Sequence, residues 1–259
     1  MNQSQIKKSL SKLALGEIKY FDSIGSTNDE ALAWAAADAP DLSVIIADEQ
    51  TAGRGRLDRK WFTPKETALA FSLVLRPTEE EKPFLSRVVG LAALAVAETL
   101  QKLGLAAQIK WPNDVLIAGR KVCGILIESV WSGEDVDCVV IGIGVNVLQG
   151  SVPPGESLLF PSTSLQDALG YPPERLEVLH DILAAFIDIR QQITSDEFIQ
   201  EWNNLLAFRG ELVQVETNAA PAIVGSVTGL ESDGSLQLRN EHGESITVRF
   251  GDVRLRPLA

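Results

Sequence analysis

Apolar runs with strand character constrain the fold of this chain more than any other feature of its sequence. They alternate, or lack polar residues over short lengths, as buried strands do, and they occupy residues 42–50, 67–77, 106–131 and 137–147. The run 106–131 has a tight polar turn in its middle, so it predicts a strand, a turn and a second strand. Together the runs predict a mixed β-sheet.

Helical segments lie between and after these strands. Thr27 is a candidate N-cap with Glu30 at the capping-box spacing, so a helix is expected to begin near Thr27. Apolar residues recur at helical spacing from Lys82 to a stop at Gly104, and further helical patterns end near Phe208. The sequence therefore predicts an α+β fold.

The character of the sequence changes after these helices. From Gly210 onward, short β-like runs alternate with the turn signals "SDG" and "EHG". We expect a domain boundary there, with one domain over residues 1–208 and a small β-barrel domain over residues 209–259.

The balance of charge excludes one broad class of function. The chain has 35 acidic and 23 basic residues, and its net charge of -12 has the wrong sign for a general nucleic-acid binder. No apolar run of signal-peptide or membrane-span length follows the N-terminal lysines. Cys123 and Cys138 lie in apolar settings far from His180 and His242, which leaves no metal-ligand spacing. We expect a soluble, cytoplasmic protein with reduced cysteines and no metal motif.

One short loop concentrates positive charge in this acidic chain. The stretch "TAGRGRLDRKWFTP" contains Arg54, Arg56, Arg59 and Lys60 between two predicted strands. A flexible cationic loop is suited to hold a nucleic acid, a nucleotide or a carboxylate substrate. A solvated turn is the alternative for such a run.

Two further segments offer polar groups at the predicted sheet. Alternation along "IGIGVNV" places Gly142, Gly144 and Asn146 on one strand face. That bare face leaves space either for a ligand or for close packing of a helix. Lys110 precedes a Trp-Pro step and lies near Asp114, so it either points into an opening or forms a structural ion pair.

Other candidates depend more on their context. Ser26, Thr27 and Asn28 combine hydroxyl, amide and free backbone N–H groups at a helix start, which suits a polar ligand but also simple capping. Lys121 begins a predicted strand and, taken singly, is a solvated lysine.

The chain resembles the biotin protein ligases in an ordered set of segments: "STND", "DEQTAGRGRLDRKWFTP", "KWPNDVL", "KVCGILIES" and "GIGVNV", followed by a small β module. The resemblance spans nearly the whole chain, and the ordered set is more specific than any one motif. It implies a mixed-sheet catalytic domain related to class II aminoacyl-tRNA synthetases and an SH3-like C-terminal domain.

The resemblance also implies an activity. Such an enzyme joins biotin and ATP into biotinyl-5'-AMP, releases pyrophosphate, and passes the biotinyl group to one lysine of a partner, the biotin carboxyl carrier protein of acetyl-CoA carboxylase. Mg²⁺ is implied by ATP and would be held chiefly by phosphate oxygens.

Roles for individual residues follow from the same resemblance. Lys110 matches the lysine that stabilises charge on the α-phosphate, Asp114 would orient it or assist a metal or the acceptor lysine, and Arg56 belongs to the segment that closes over the ligand. These three are the expected catalytic residues. The expected ligand-binding residues are Ser26, Thr27, Asn28, Gln50, Gly53, Arg54, Gly55, Arg56, Trp61, Lys110, Lys121, Gly124, Gly144, Asn146 and Arg256.

Two other functions stay open from the sequence. One is a lipoate or octanoate ligase of the same superfamily, and the other is a biotin-dependent transcriptional regulator. Regulators in the family carry an N-terminal winged-helix domain, whereas little sequence precedes Phe21, so neither repression nor DNA binding is expected. Leu57 and Asp58 depart from the family pattern in the basic loop and bear on how it closes.

Overall fold

A mixed seven-stranded sheet forms the centre of the molecule. The structure is a computed structural model that describes residues 1–57, 59–153, 160–217, 221–249 and 253–257. The strands are β1 Ile18–Phe21, β2 Ser43–Ala47, β3 Ala68–Leu75, β4 Ala107–Lys110, β5 Asp114–Ile117, β6 Arg120–Ser132 and β7 Asp135–Asn146. Their spatial order is β1-β2-β3-β7-β6-β5-β4. β1 pairs in parallel with β2, and the other neighbours pair antiparallel, so the predicted mixed sheet is confirmed.

Helices cover both faces of this sheet. They are α1 Gln3–Leu10, α2 Thr27–Ala35, α3 Val88–Lys102, α4 Leu165–Leu169, α5 Arg175–Arg190 and α6 Asp196–Asn204. Side-chain alternation along β2 sends Val44 and Ile46 into the large core with α3 and α5, and Ile45 into a smaller cluster with the alanines of α2. The face under α2 therefore has the thinner apolar cover, and the buried polar side chains of Thr27, Asn28 and Ser72 lie on it.

A second, smaller sheet follows the last helix. Its strands are β8 Leu212–Thr217, β9 Ile223–Leu230, β10 Leu236–Arg239, β11 Ser245–Val248 and β12 Val253–Pro257. They pair antiparallel in the order β11-β10-β9-β8-β12. This confirms the α+β fold class with a small C-terminal β module, while the boundary at residue 208 stays a prediction.

The turn between β9 and β10 packs against the main domain. Arg87, buried at the start of α3, donates a hydrogen bond to the Ser232 carbonyl at 2.8 Å. The indole N–H of Trp111 donates to the Gly234 carbonyl at 3.1 Å. Because Trp111 belongs to the "KWPND" segment, the C-terminal sheet contacts the turn that carries Lys110.

The long helix predicted from Lys82 begins as a 3-10 segment, Lys82–Arg87, before it continues as α3. Gly104 has a positive φ of 81° just after α3, as expected for a helix stop. The stretch Lys82–Lys102 is long and apolar enough to cross a membrane, but 67% of its most apolar window is buried. It has the features of a core helix.

Two local predictions were wrong. Ser26, not Thr27, holds the N-cap position of α2, and Thr27 is the first helical residue. The run 106–131 contains a second turn, in which Ala118 and Gly119 both have positive φ, so it forms three strands instead of two. A glycine adopts that conformation readily but an alanine rarely does, so Gly119 alone marked this turn in the sequence.

Candidate active site

A cavity of about 490 Å³ opens on the α2 face of the main sheet. Most of the residues expected at the site line it: Ser26, Thr27, Asn28, Gln50, Arg54, Gly55, Arg56, Trp61, Lys110, Asp114, Lys121, Gly124, Gly144 and Asn146. They come from segments far apart in the chain. The fold therefore brings the separate motifs of the sequence into one place.

Gln50 organises the start of α2 at one end of this cavity. Its Oε1 accepts hydrogen bonds from the backbone N–H of Thr27 at 2.8 Å and from the Thr27 hydroxyl at 3.0 Å. Ser26 makes no side-chain capping bond, so a side chain from another segment satisfies the helix start. Ser72, fully buried on β3, lies 2.8 Å from Thr27 Oγ1 and 2.6 Å from Asn28 Oδ1.

Glycines on β6 and β7 make room for these side chains. A Cβ at Gly142 would overlap the amide of Asn28, and a Cβ at Gly144 would overlap the indole of Trp61. At Gly124 a Cβ would lie 3.0 Å from both Lys121 Nζ and Trp61 Cζ3. The strand face that looks bare in the sequence is therefore covered by side chains that themselves line the cavity.

Lys110, Asp114 and Lys121 form a buried cluster of two cations and one anion. Lys110 Nζ lies 3.3 Å from Asp114 Oδ2, and Lys121 Nζ lies 2.5 Å from Asp114 Oδ1. The two ammonium groups also lie over aromatic rings, Lys110 at 4.4 Å from the centroid of Phe160 and Lys121 at 5.3 Å from that of Trp61. The cluster has a net positive charge at the cavity.

The pKa values in this cluster reflect burial and mutual attraction. Burial lowers the pKa of Lys110 below its usual range, and Asp114 offsets this only in part. Burial acts to raise the pKa of Asp114, but the nearby Lys121 and Lys110 outweigh it and hold that pKa below its usual range. At neutral pH the carboxylate is therefore ionised between the two lysines.

The basic loop folds back on itself over the cavity. Gly55 N–H donates to the Arg59 carbonyl at 2.7 Å, and Trp61 N–H donates to the Gly53 carbonyl at 2.8 Å. Arg56 donates to Asn113 Oδ1 at 3.1 Å, which joins the loop to the "KWPND" turn. Leu57 adopts a positive φ of 58° at the tip, and Asp58 lies outside the described residues.

Gly53 is an expected site residue that the structure describes but that does not line the cavity. A Cβ at Gly53 would lie 2.5 Å from the Trp61 carbonyl, so this glycine permits the close return of the loop without facing the cavity. Arg256 is in β12, opposite Gln214, and its side chain lies outside the described part of the structure. Asn146 lines the cavity and donates to the Thr163 carbonyl at 3.1 Å.

Several residues in or next to the site were not predicted from the sequence. Asn113 holds the "KWPND" turn by donating to the Ile125 carbonyl at 2.7 Å. Phe160 lies over Lys110, and Glu128 binds Arg54 of the loop. Ser72 stands in an otherwise apolar strand, "ALAFSLVL", and that single polar residue is a signal that could have identified it.

The arrangement is suited to bind an anion beside an apolar wall. The described residues hold no group of three His, Cys, Asp or Glu side chains that could bind a metal ion. Within the described parts of the chain, the buried indole N–H of Trp61 has no hydrogen-bond acceptor. A buried donor of this kind indicates that a ligand oxygen completes the site.

Comparisons with known proteins agree with this geometry. The model of the biotin/lipoate A/B protein ligase family matches residues 20–146. The biotin–[acetyl-CoA-carboxylase] ligase of Paracoccus denitrificans is 37% identical over 234 residues, which cover 85% of this chain and 93% of that protein. The bifunctional ligase/repressor BirA of Bacillus spizizenii is 33% identical over 250 residues, covering 94% of this chain and 76% of the relative.

A solved structure gives the same assignment. The biotin protein ligase of Aquifex aeolicus, in complex with biotin and ATP, superimposes with a TM-score of 0.81 at 28% identity, covering 93% of this chain and 99% of that one. The chain therefore belongs to the biotin/lipoate A/B protein ligase family and, within it, to the biotin protein ligases.

Proposed function

We propose that the chain activates biotin with ATP and transfers it to a lysine of the biotin carboxyl carrier protein of acetyl-CoA carboxylase. In the first step an oxygen of the biotin carboxylate attacks the α-phosphorus of ATP, and the bond to pyrophosphate breaks. In the second step the acceptor amine attacks the acyl carbon, an amide forms, and AMP leaves with the bonding electron pair while the amine loses a proton. The enzyme forms no covalent bond to either substrate.

The observation that carries this proposal is the cluster of Lys110, Asp114 and Lys121. The first step brings a carboxylate against a phosphate, so negative charge accumulates between two anions. An ammonium group already fixed at that point stabilises the transition state without reorganisation, which is a large effect in a site that excludes water. Lys110 is suited to this role because Asp114 holds it in place, while Lys121 lies closer to the same carboxylate and leaves the cluster with a net positive charge.

The other end of the cavity suits the uncharged rings of biotin. The hydroxyl, amide and backbone groups of Ser26, Thr27 and Asn28 offer donors and acceptors for the polar ureido atoms, with Gln50 fixing their positions. Trp61 supplies an apolar surface against the glycines of β6 and β7. This combination of a flat wall and a few directed polar groups favours biotin over lipoate, which has no ureido group.

The basic loop would shelter the mixed anhydride between the two steps. Arg56 donates to Asn113 of the turn that also carries Lys110, which supports a role for Arg56 at the phosphate of the adenylate. Closing the loop excludes water from the acyl phosphate and retains the intermediate until the carrier lysine arrives. By the resemblance to the biotin protein ligases, Arg256 would contact the phosphates of ATP.

Mg²⁺ would enter with ATP and supply charge neutralisation to its phosphates. Asp114 is the only carboxylate among the described residues that line the cavity, and each of its oxygens already faces an ammonium group. It does not fit as a direct ligand of the ion. The phosphate oxygens are therefore the ligands we assign to Mg²⁺.

The compartment and the domain division belong to the same proposal. Cys123 and Cys138 are buried free thiols, and burial raises the pKa of each, which is compatible with a reducing cytoplasm. We place the catalytic domain at residues 1–208 and the SH3-like domain at 209–259, with the change of chain direction at Phe208, whose φ is 63°.

A transfer assay tests the function directly. The purified protein is incubated with radiolabelled biotin, ATP, Mg²⁺ and a biotin carboxyl carrier domain, and acid-stable label is measured on the carrier. We expect label that depends on ATP and is absent when the acceptor lysine is replaced. Label from lipoate or octanoate but none from biotin would contradict the proposal.

Replacing Arg56 by alanine should release the intermediate. The side chain contributes charge-assisted hydrogen bonds near the phosphate, so we expect Arg56→Ala to lose biotinyl-5'-AMP into solvent about tenfold faster than the parent. Chromatography of free adenylate in a reaction without carrier measures this. Arg239→Ala, at an exposed residue of β10 in the second sheet, is the matched control. Equal retention by Arg56→Ala and the parent would show that the loop does not hold the adenylate.

A further inference from the structure

Arg54 of the basic loop is already paired with two carboxylates. Its Nη1 lies 3.0 Å from Glu128 Oε1, and its Nη2 lies 2.8 Å from Glu128 Oε2 and 2.6 Å from Asp29 Oδ1. The contact with Glu128 is a two-point fork of the kind that fixes geometry as well as charge. Arg54 therefore serves as an anchor of the loop, and the cation that meets the phosphate has to come from elsewhere in it.

The same Glu128 carboxylate also holds the start of α2. Its Oε2 accepts a hydrogen bond from Asn28 Nδ2 at 2.7 Å. The other end of that amide, Oδ1, accepts from Ser72 Oγ at 2.6 Å. With a carboxylate on one side and a hydroxyl on the other, the Asn28 amide has one orientation. Glu128 thus contacts both Arg54 of the basic loop and Asn28 at the start of α2.

We propose that Glu128 is a positioning residue that couples the basic loop to the biotin-binding end of the site. Glu128 does not itself line the cavity, so it acts through Arg54 and Asn28. The ion pair between Arg54 and Glu128 holds the loop over the ligand. The same carboxylate fixes the orientation of the Asn28 amide, which lines the cavity. This inference deepens the proposed function and rests on it.

The exposure of the side chains and the geometry of their contacts determine how strongly Glu128 can hold the loop. The side chains of Arg54, Glu128 and Asp29 are 40%, 25% and 58% exposed, and a simple ion pair at that exposure contributes little. A bidentate guanidinium with a second carboxylate, together with a charge-assisted amide bond, is the exception to that rule. A mobile loop also needs an anchor strong enough to order it and weak enough to let it open for the carrier.

The test is Glu128→Gln, which keeps the size of the side chain and removes its charge. We expect the KM for biotin to rise about tenfold, with kcat for adenylate formation within about twofold of the parent, because chemistry at Lys110 is untouched. Bound adenylate should dissociate about tenfold faster. Trypsin should cut the ligand-free loop after Arg56, Arg59 or Lys60 about tenfold faster, since the loop opens more often.

A charge exchange separates the two roles of Glu128. In the double variant Arg54→Glu with Glu128→Arg the ion pair is restored, so protection from trypsin should return. The new arginine cannot accept from Asn28, so the KM for biotin should stay raised. Glu30→Gln, which weakens the half-buried ion pair between Glu30 of α2 and Lys19 of β1, should change neither readout.

The proteolysis experiment contains no substrate, so it tests the coupling even if the parent fails the transfer assay. Parent-like trypsin cleavage and parent-like adenylate retention in Glu128→Gln would overturn the inference. A uniform loss of folding in that variant, seen as a lower Tm with trypsin cleavage throughout the chain, would assign Glu128 a merely structural role and overturn it as well.

Discussion

Lys110→Ala should slow the formation of biotinyl-5'-AMP by about 10² to 10³-fold, the loss typical of removing one group that stabilises charge in a transition state. The ammonium group acts only while negative charge builds up between the carboxylate and the α-phosphate. We therefore expect kcat and kcat/KM to fall together, with little change in the KM for biotin. Release of pyrophosphate in a single turnover is the measurement.

The variant should fold normally, because the Asp114–Lys121 pair stays intact at 2.5 Å. Removing Lys110 leaves one anion beside one cation, so no buried charge loses its partner. Lys102→Ala, at an exposed lysine paired with Glu98, is the matched control and should keep the parent rate. A parent-like rate of pyrophosphate release from folded Lys110→Ala would remove Lys110 from the mechanism.

The fold could be predicted from the sequence wherever a local pattern of apolar and turn residues determined the secondary structure. Strands β2, β3 and β7 and the stop of α3 at Gly104 follow from local periodicity and turn chemistry. Strand β1 was not predicted, and the run that forms β4, β5 and β6 was expected to form two strands. The cap of α2 does not, because its partner Gln50 lies more than twenty residues away from Thr27. Local spacing favoured a capping box with Glu30, which instead pairs with Lys19.

The residues of the site were easier to predict from the sequence than the hydrogen bonds and ion pairs between them. Most of the residues that the ordered motifs predicted for the site do line the cavity, but the motifs did not show which cation binds which anion. Arg54 and Arg56 look equivalent in "GRGR", yet one is paired with Glu128 and the other with Asn113. Such pairings depend on the register of strands that meet only in the folded chain, so no spacing in the sequence reports them.

The charge balance of the cluster leads to the largest expected effect on stability. Asp114→Asn leaves Lys110 and Lys121 together without an anion, in positions where their side chains are only 12% and 21% exposed. Removing one partner of a buried ion pair costs about 3 to 5 kcal/mol. Because both lysine side chains keep some exposure, we expect a loss near the lower end, about 3 kcal/mol, in the free energy of unfolding measured with urea at neutral pH.

The pH dependence of that loss distinguishes electrostatics from packing. The folded pKa of Asp114 is lowered, so its stabilising contribution is complete above its ordinary value of 3.8 and is lost as the pH falls through the folded value. Without Asp114, the pKa of Lys110 should fall further below 10.5. Its folded form then binds fewer protons than its unfolded form, so the variant should recover stability as the pH rises toward 10.5.

An apolar replacement of the whole cluster provides the control. Lys110→Met and Lys121→Met combined with Asp114→Leu removes all three charges at similar volume, and such replacements are often neutral for stability. We expect this triple variant to unfold within about 1 kcal/mol of the parent although it forms no adenylate. If Asp114→Asn instead unfolds like the parent at every pH, the two lysines are solvated rather than held by the carboxylate, and the preorganised cation on which the proposed chemistry depends is not present.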